Sequence, residues 1–172
     1  MITGSTLVLR AFDRKHMDQT RSWVNDVELA RLLDRAYPVS EQDHEHWYTT
    51  LVGRNDCVFF AIETLSSNQH IGNVWLWAID WRHSKAELRI LIGDHEAIGK
   101  GYGSEAIRLV CEYAFSRLNL HKIYAYVLSI NPRARRAFEK VDFKLEGTLR
   151  SDRWANGQYI DVYLLGFLRE NN

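Results

Sequence analysis

The chain has 172 residues, and its 22 Lys and Arg residues equal its 22 Asp and Glu residues, so the formal net charge at pH 7 is zero. This length fits one domain with a sizeable core, and we expect a single domain over residues 1–172. The balanced charge argues against general nucleic-acid binding, because domains that bind nucleic acid normally carry a basic excess.

The first third of the chain predicts one strand and two helical regions. The segment "STLVLRAF", residues 5–12, alternates as a strand does. Residues 16–33 have a helical pattern with gaps. Ser40 begins "SEQD", a start that resembles a capping box with an acid three residues on, and the helix that it opens runs to about Leu51.

The middle of the chain predicts three strands. The segments "CVFFAIE" and "IGNVWLWAID" form a hairpin around the polar turn "TLSSNQH". The segment "AELRILIG" is a short, largely apolar strand that ends at Gly93. A helix is predicted from Ser104, because apolar residues then recur on one helical face: Ile107, Val110, Cys111, Ala114, Phe115 and Leu118.

The last quarter predicts a helix between strands. The segment "KIYAYVLSI" is a strand, and Asn131 with Pro132 supplies the favoured cap and first-turn residues of the helix "NPRARRAFEKVDF". The chain closes with two strands around the turn "ANGQ", namely "FKLEGTLR" and "QYIDVYLLGFL". The order β-α-α-β-β-β-α-β-α-β-β does not alternate strictly, so we predict an α+β fold with a mixed sheet.

The segment "IGKGYGSEA", residues 98–106, places three glycines at alternate positions between a strand and a helix. The first N–H groups of a helix have no internal partner and lie at the positive end of its dipole, so glycines there let a phosphate approach. A pyrophosphate-binding turn and a merely flexible connection both fit this spacing. A P-loop does not, because no Lys-Ser/Thr follows the last glycine, and a Rossmann turn does not, because the glycines are too close together.

Targeting and metal-binding signals are weak throughout. No apolar run approaches a bilayer span, and "MITGSTLVLRAFDRKH" lacks the pattern of a signal peptide, so we expect no membrane association. The two cysteines, Cys57 and Cys111, lie far apart, which excludes a disulfide framework and favours the cytoplasm. His44 and His46 suggest a metal site, but residues two apart do not share a helix face, so we predict no metal.

Residues 86–150 resemble the GNAT superfamily of acetyl-CoA-dependent N-acetyltransferases, in the branch of the ribosomal-protein N-terminal, polyamine and amino-sugar enzymes. The likeness rests on the strand, the glycine turn, the helix, the Asn-headed helix and the "EG-x-LR" tail in the family order. It implies a GNAT fold: a mixed, mostly antiparallel sheet with splayed central strands and helices on both faces. It also implies acetyl transfer from acetyl-CoA to a primary amine by direct attack in a ternary complex.

The resemblance implies that the glycine turn holds the coenzyme. Gly101 and Gly103 match the family pattern, while Ile98 stands where the family has Arg or Gln, and Lys100 is either a phosphate contact or an ordinary exposed lysine. The residues expected to bind the pyrophosphate are Ile98, Gly99, Lys100, Gly101, Tyr102, Gly103 and Ser104. The departures at Ile98 and Phe138 leave open a non-catalytic acyl-CoA-binding module.

Further coenzyme contacts follow from the same resemblance. Ile90, Leu91 and Ile92 should line the pantetheine arm, with backbone groups free to pair with it as an added strand would; a plain core strand is the alternative. Asn131 matches the coenzyme-side asparagine of the family and also suits a helix N-cap. Phe138 replaces the tyrosine of several relatives, and its ring is expected to pack beside the coenzyme.

Two residues are candidates for the chemistry. The attacking amine must be neutral and the leaving thiolate needs a proton, so a carboxylate and an acid are sought. Glu87 is the candidate carboxylate, unless it is an ordinary carboxylate at a strand end. Tyr126 is the candidate acid, unless it is a packed strand aromatic and water protonates the thiolate.

The acceptor site of this family is built from the first helical region and the last hairpin. Here acidic residues such as Asp34, Glu41 and Asp152 are interleaved with Arg35 and Arg153. This mixture suits an acceptor with an amine and an anionic part, such as an amino sugar, or a protein N-terminus. The oligomeric state is not readable, although a homodimer through an edge strand would be ordinary.

Overall fold

A computed structural model describes residues 1–170. Its strands are β1 (Ile2–Thr3), β2 (Leu7–Ala11), β3 (Val58–Thr64), β4 (His70–Asp80), β5 (Lys85–Ile92), β6 (Lys122–Leu128), β7 (Lys144–Ala155) and β8 (Gln158–Leu168). Its α-helices are α1 (Met17–Val24), α2 (Val27–Leu32), α3 (Glu41–Leu51), α4 (Tyr102–Arg117) and α5 (Pro132–Glu139). Short 3-10 helices cover Arg14–His16 and His95–Ala97.

The eight strands form one sheet in the order β1-β2-β3-β4-β5-β6-β8-β7. Within the described residues β5 and β6 are the one parallel pair, and the other neighbours are antiparallel. The β5–β6 pairing covers three positions, from Lys85–Lys122 to Glu87–Tyr124. The two strands are not paired beyond Glu87, which opens a gap in the middle of the sheet. This is the predicted mixed sheet with splayed central strands.

Helices cover both faces of this sheet, as predicted. On one face α4 and α5 complete the main core, with Ile107 and Val110 of α4 fully buried against the strands. On the other face Trp23 of α1 and Leu29 of α2 pack against Leu91 of β5. The site between β5 and β6 is therefore walled on two sides by helices.

Local capping chemistry determines where the helices start. Ser40 and Asp43 form the predicted capping box of α3, and the Asn131 side chain accepts from the Ala134 N–H at the start of α5. The helical region predicted over residues 16–33 is interrupted, because the Asp26 side chain accepts from the N–H groups of Glu28 and Leu29 and starts a new helix.

Two predicted boundaries differ from the structure. The last helix was expected to reach Phe143, but α5 ends at Glu139, and Asp142 has a left-handed φ of 68°. That turn directs Phe143 into the core. The predicted strand "FKLEGTLR" is the first part of β7, which continues to Ala155 and pairs with β8 as a long hairpin.

A buried carboxylate ties the first helical region to the sheet. Glu63 of β3 is 3 % exposed, and it accepts hydrogen bonds from Arg10 and Lys15 and lies 3.1 Å from Nε2 of His16. Burial alone would raise the pKa of Glu63, but the hydrogen bonds from His16, Lys15 and Arg10 outweigh it and lower the pKa to about 2. Glu63 therefore stays ionised and holds the segment before α1 in place.

No helix among residues 1–170 is both long and apolar enough to cross a membrane.

Candidate active site

The glycine turn between β5 and α4 has a backbone that only glycine adopts readily. Gly99 has φ of 79° and Gly101 has φ of 90°, both in the left-handed region. A Cβ added at either position would meet no atom within 4 Å. The glycines are therefore required by backbone conformation and leave open space in front of the turn.

This open space lies at the N-terminus of the 16-residue helix α4. The first hydrogen bond at this end runs from the Glu105 N–H to the Gly101 carbonyl, 3.1 Å, and no side chain caps the helix. The N–H groups of Tyr102, Gly103 and Ser104 precede that bond. Unpaired donors at the positive end of a long helix dipole suit an anion.

Glu105 connects this end of α4 to the turn between β1 and β2. It is 9 % exposed, and its carboxylate accepts hydrogen bonds from the backbone and hydroxyl groups of Ser5 and Thr6. Burial opposes ionisation, but these hydrogen bonds lower the pKa of Glu105 below its ordinary value. The acidic first turn is thus used for packing against the β1–β2 turn and does not occupy the open space.

A cleft of about 360 Å³ runs from the glycine turn along the open edge of β5. Ile90, Leu91 and Ile92 form its floor. The predicted coenzyme residues that line it besides these three are Ile98, Gly99, Gly101, Tyr102, Gly103, Ser104 and Asn131. A cleft with apolar residues of β5 at one part and unpaired backbone donors at another fits a pantetheine arm attached to a pyrophosphate, as in acetyl-CoA.

Two predicted coenzyme residues lie elsewhere. Phe138, expected beside the coenzyme, is 3 % exposed in the main core and does not line the cleft. Its ring packs edge-on against Phe143 with centroids 5.0 Å apart, because position 138 faces the sheet while its neighbour Ala137 faces the cleft. Lys100 is exposed and is not among the lining residues.

Two groups of lining residues were missed from the sequence. Leu29, Leu32 and Leu33 of the α2 region form an apolar wall, and Arg133, Arg136 and Lys140 form a basic wall on α5. Both groups carry a helical signal, because each repeats at spacings of three and four residues. In the sequence, residues 16–33 indicated only a helix, and the basic residues of "NPRARRAFEKVDF" were not predicted to face the cleft.

Glu87 lies at the point where β5 and β6 diverge. It occupies the last paired position, opposite Tyr124 on β6 and Trp77 on β4. The residue is 8 % exposed, and both carboxylate oxygens accept from the Arg89 guanidinium, at 2.8 and 2.9 Å. The two parallel hydrogen bonds fix the orientation of this carboxylate at the point of divergence.

Two tyrosines lie on β6 near this point, Tyr124 opposite Glu87 and Tyr126 two residues further along the strand. Tyr126, the candidate acid, is 46 % exposed and packs edge-on against Tyr124 with ring centroids 5.9 Å apart. Burial, and then the nearby Glu87 charge, raise the pKa of Tyr124 above its ordinary value, which keeps that phenol protonated. Neither phenol lines the 360 Å³ cleft. Both belong to the sheet face opposite α4.

An ion pair joins the two sides of the opening. Arg153 of β7 contacts the carboxylate of Asp34, which follows α2, at 2.9 Å and also contacts its neighbour Asp152. In the part of the chain that the structure describes, it is the one ion pair between residues 14–52 and 122–170. Two carboxylates thus flank one cation where the first helical region meets the last hairpin.

The histidine pair proposed and rejected as a metal site has a packing role. His44 is 5 % exposed and stacks on Trp47 with ring planes 5° apart. His46 is exposed. Residues 1–170 contain no group of three His, Cys, Asp or Glu side chains placed to hold a metal ion.

Comparison with known proteins matches this architecture to one family. The acetyltransferase (GNAT) domain family matches residues 6–144. The chain is 33 % identical over 160 residues to a spermidine N(1)-acetyltransferase of Vibrio cholerae serotype O1, covering 92 % of this chain and 91 % of that protein. It is 39 % identical over 142 residues to a spermidine N(1)-acetyltransferase of Escherichia coli K12, covering 78 % and 76 %.

Among solved structures, the chain is similar to the crystal structure of the Vibrio cholerae spermidine N-acetyltransferase in complex with CoA and spermine. The TM-score is 0.90 at 32 % identity, with 96 % of each chain covered. A likeness of this extent includes the first helical region and the last hairpin as well as the coenzyme cleft.

Proposed function

The chain belongs to the GNAT acetyltransferase family and is an acetyl-CoA-dependent N-acetyltransferase, and we propose that its acceptor is a linear polyamine such as spermidine. The observation that carries this proposal is likeness along the whole chain to enzymes of that specificity, at 33 % identity over 92 % of the chain and a TM-score of 0.90. The acceptor-side charges described above support it. Acetyl transfer to an amine is the family's reaction, and the acceptor is the proposed part.

We propose that the coenzyme binds in the 360 Å³ cleft. The N–H groups of Tyr102, Gly103 and Ser104 would hold its pyrophosphate, and the open edge of β5 at Ile90–Ile92 would pair with its arm. Acetyl-CoA supplies an acetyl group on a thioester. The protein's part is to fix that group at the divergence of β5 and β6, where Glu87 lies.

Glu87 is proposed to receive the proton of the acceptor amine, directly or through water. An amine must lose its proton to attack, and an oriented carboxylate at the reacting atom provides the base. Arg89 holds this carboxylate in position through two hydrogen bonds. Tyr126 on β6 is the proposed proton donor for the leaving thiolate, with water as the alternative.

Asp34 and Asp152 are proposed to bind a distal ammonium group of the polyamine. A polyamine carries several positive charges, and two carboxylates that flank one cation provide a binding site for one of its ammonium groups. In the structure the Arg153 guanidinium occupies that site, at 2.9 Å from Asp34. An incoming ammonium would take the place of the guanidinium. Arg153, one of the arginines that favoured an amino sugar or a protein N-terminus in the sequence, is thus a partner of two acceptor-side carboxylates.

A panel of acceptors tests the proposal. Initial rates with acetyl-CoA would be measured for spermidine, spermine, a nucleotide-linked amino sugar and a peptide with a free N-terminus. We expect the highest kcat/KM for a polyamine. A higher value for the amino sugar or the peptide would replace the polyamine with that acceptor and leave the coenzyme site unaffected.

Paired variants test the proposed ammonium-binding site at Asp34 and Asp152. Asp34→Asn removes one charge and should raise the KM for spermidine about five- to tenfold, since a charge-assisted contact is lost. Arg153→Gln removes the internal competitor and should lower that KM. Arg150→Gln is a control on the same strand, because Arg150 forms no ion pair within residues 1–170. If all three variants have the same KM for spermidine as the wild type, Asp34 and Arg153 do not belong to the acceptor site.

A further inference from the structure

The basic wall of the cleft is defined by Arg133, Arg136 and Lys140 of the α5 region. All three side chains are exposed, line the 360 Å³ cleft, and form no ion pair in the stretch 1–170. Positions 133, 136 and 140 are three and four residues apart, so they share one helical face. Like charges at these spacings destabilise a helix on their own. Their arrangement suits a ligand with negative charge.

A fourth cation on the same helix shows the contrast. Arg135 does not line the cleft, pairs with Glu139 at 2.8 Å and lies over the Tyr163 ring at 4.5 Å. The cation outside the cleft is thus paired with a carboxylate, and the three cations that line the cleft are not. A general excess of surface charge would not distinguish cations inside the cleft from one outside it.

We propose that Arg133, Arg136 and Lys140 bind the 3′-phosphate of the coenzyme and thereby select CoA over its 3′-dephospho form. The inference rests on the proposed placement of the coenzyme in this cleft. Coenzyme A has two phosphate groups at separate places, a pyrophosphate within the chain and a monoester on the ribose. The glycine turn provides backbone donors for the first, so the side-chain cations are left for the second.

The dimensions and chemistry of the basic wall agree with this division. Arg133 and Lys140 are seven positions apart, which is about 10 Å along a helix at 1.5 Å per residue. Cations spread over this length reach beyond one pyrophosphate. Arginine binds a terminal phosphate through two parallel hydrogen bonds, and lysine adds a mobile point charge.

Binding measurements separate the two phosphates. Isothermal titration calorimetry would give dissociation constants for CoA and 3′-dephospho-CoA with the wild type, with Arg133→Gln, Arg136→Gln and Lys140→Gln, and with the matched control Arg135→Gln. We expect each cleft variant to weaken CoA about three- to tenfold and to change dephospho-CoA less than about twofold, since one charge-assisted contact is lost. The control should bind both ligands like the wild type.

Each other outcome is informative. Equal weakening of both ligands would assign the basic wall to the pyrophosphate and overturn the proposal, as would unchanged affinity for both. Because the three side chains are exposed, the variants should fold, and thermal melts check this. Gly101→Val tests the placement itself. If Gly101→Val leaves the binding of CoA and dephospho-CoA unchanged, the coenzyme binds elsewhere. The identity of the acceptor is tested separately, by the panel of amines.

Discussion

The two sides of the active site handle charge in opposite ways. On the proposed coenzyme side, formed by β5, the glycine turn, α4 and α5, backbone donors and three cations face the cleft without acidic partners in residues 1–170. On the proposed acceptor side, formed by α1–α3 and the β7–β8 hairpin, the carboxylate of Asp34 is paired with Arg153. A coenzyme brings the same phosphates at every turnover, so its site needs only the complementary charge. An acceptor site with internal partners must exchange them, and this exchange is a basis for selectivity.

Acid should weaken the contacts of Glu63 that hold the segment before α1 to the sheet. The pKa of Glu63 is about 2 against an ordinary 4.5, so its ionised form stabilises the fold fully above about pH 4.5, and this contribution is lost as pH falls toward 2. Glu63→Gln should lower the unfolding free energy by about 3 kcal/mol at neutral pH, from the size of the shift. The difference from wild type should shrink between pH 4.5 and 2. Denaturant unfolding measures it.

Glu112→Gln is the control for that variant, because Glu112 is exposed on α4 and has no ion pair in the part of the chain described. It should stay near wild type at every pH. A constant difference between Glu63→Gln and wild type down to pH 2 would contradict the assignment of the lowered pKa to Glu63.

The next prediction concerns Glu87, the proposed base, which lies where β5 and β6 diverge. Glu87→Gln keeps the shape but cannot accept a proton, so kcat should fall about 100-fold if the carboxylate is the base. Coenzyme affinity should change little. Arg89→Gln removes the ion pair and keeps the carboxylate, so its kcat should fall less. Wild-type turnover in Glu87→Gln across the pH range would exclude Glu87 from the chemistry and make it a structural partner of Arg89.

The coenzyme side is tested at its turn. In Gly101→Val the side chain enters the open space before the α4 donors, so CoA should bind more than about tenfold more weakly. A valine at φ of 90° also costs on the order of 1–3 kcal/mol of stability. Gly53→Val separates the two effects, since Gly53 has φ of 78° and the same free space but lies after α3, away from the cleft.

Calorimetry with CoA reports the affinities, and thermal melts report the shared loss of stability. Weaker CoA binding in both glycine variants would show that the effect comes from general destabilisation. If Gly101→Val binds CoA with the same affinity as the wild type, the pyrophosphate does not bind at the turn.

The smallest effect is expected at Phe138. Because its ring lies in the core against Phe143, Phe138→Leu should cost about 1 kcal/mol of stability as an imperfect apolar exchange. CoA affinity and kcat should stay within about twofold of wild type, which is below the effect of losing one good contact. A large loss of CoA binding in a folded Phe138→Leu variant would put the ring at the coenzyme, as the sequence resemblance implied.

The coenzyme side was largely predictable from the sequence because its signals are local. The glycines at positions 99 and 101, the Asn131 cap and the apolar strand Ile90–Ile92 each depend on neighbours within a few residues. The basic wall was equally local, since its spacing shows in "NPRARRAFEK", but it was overlooked because only the cap of that helix was analysed. Phe138 was assigned from the family resemblance alone, and in the structure it faces the core while its neighbour Ala137 faces the cleft.

The acceptor side was not predictable in the same way. The sequence showed that acids and arginines alternate there, but not which ones pair. Asp34 and Arg153 are far apart in the chain and meet because the sheet order brings the β7–β8 hairpin next to the opening between β5 and β6. Likewise, the pairing of Glu87 with Arg89 depends on both side chains being on one face of β5 at the point where β6 leaves it.

The sequence by itself determined the fold class, the family and the glycine turn at the start of α4. These follow from hydrophobic periodicity, helix capping and the φ angles open to glycine, which all act over a few residues. The tertiary structure alone decided which of the charges are neutralised and which face the cleft. Coulomb energies depend on distance through space and on burial, and neither is given by separation along the chain.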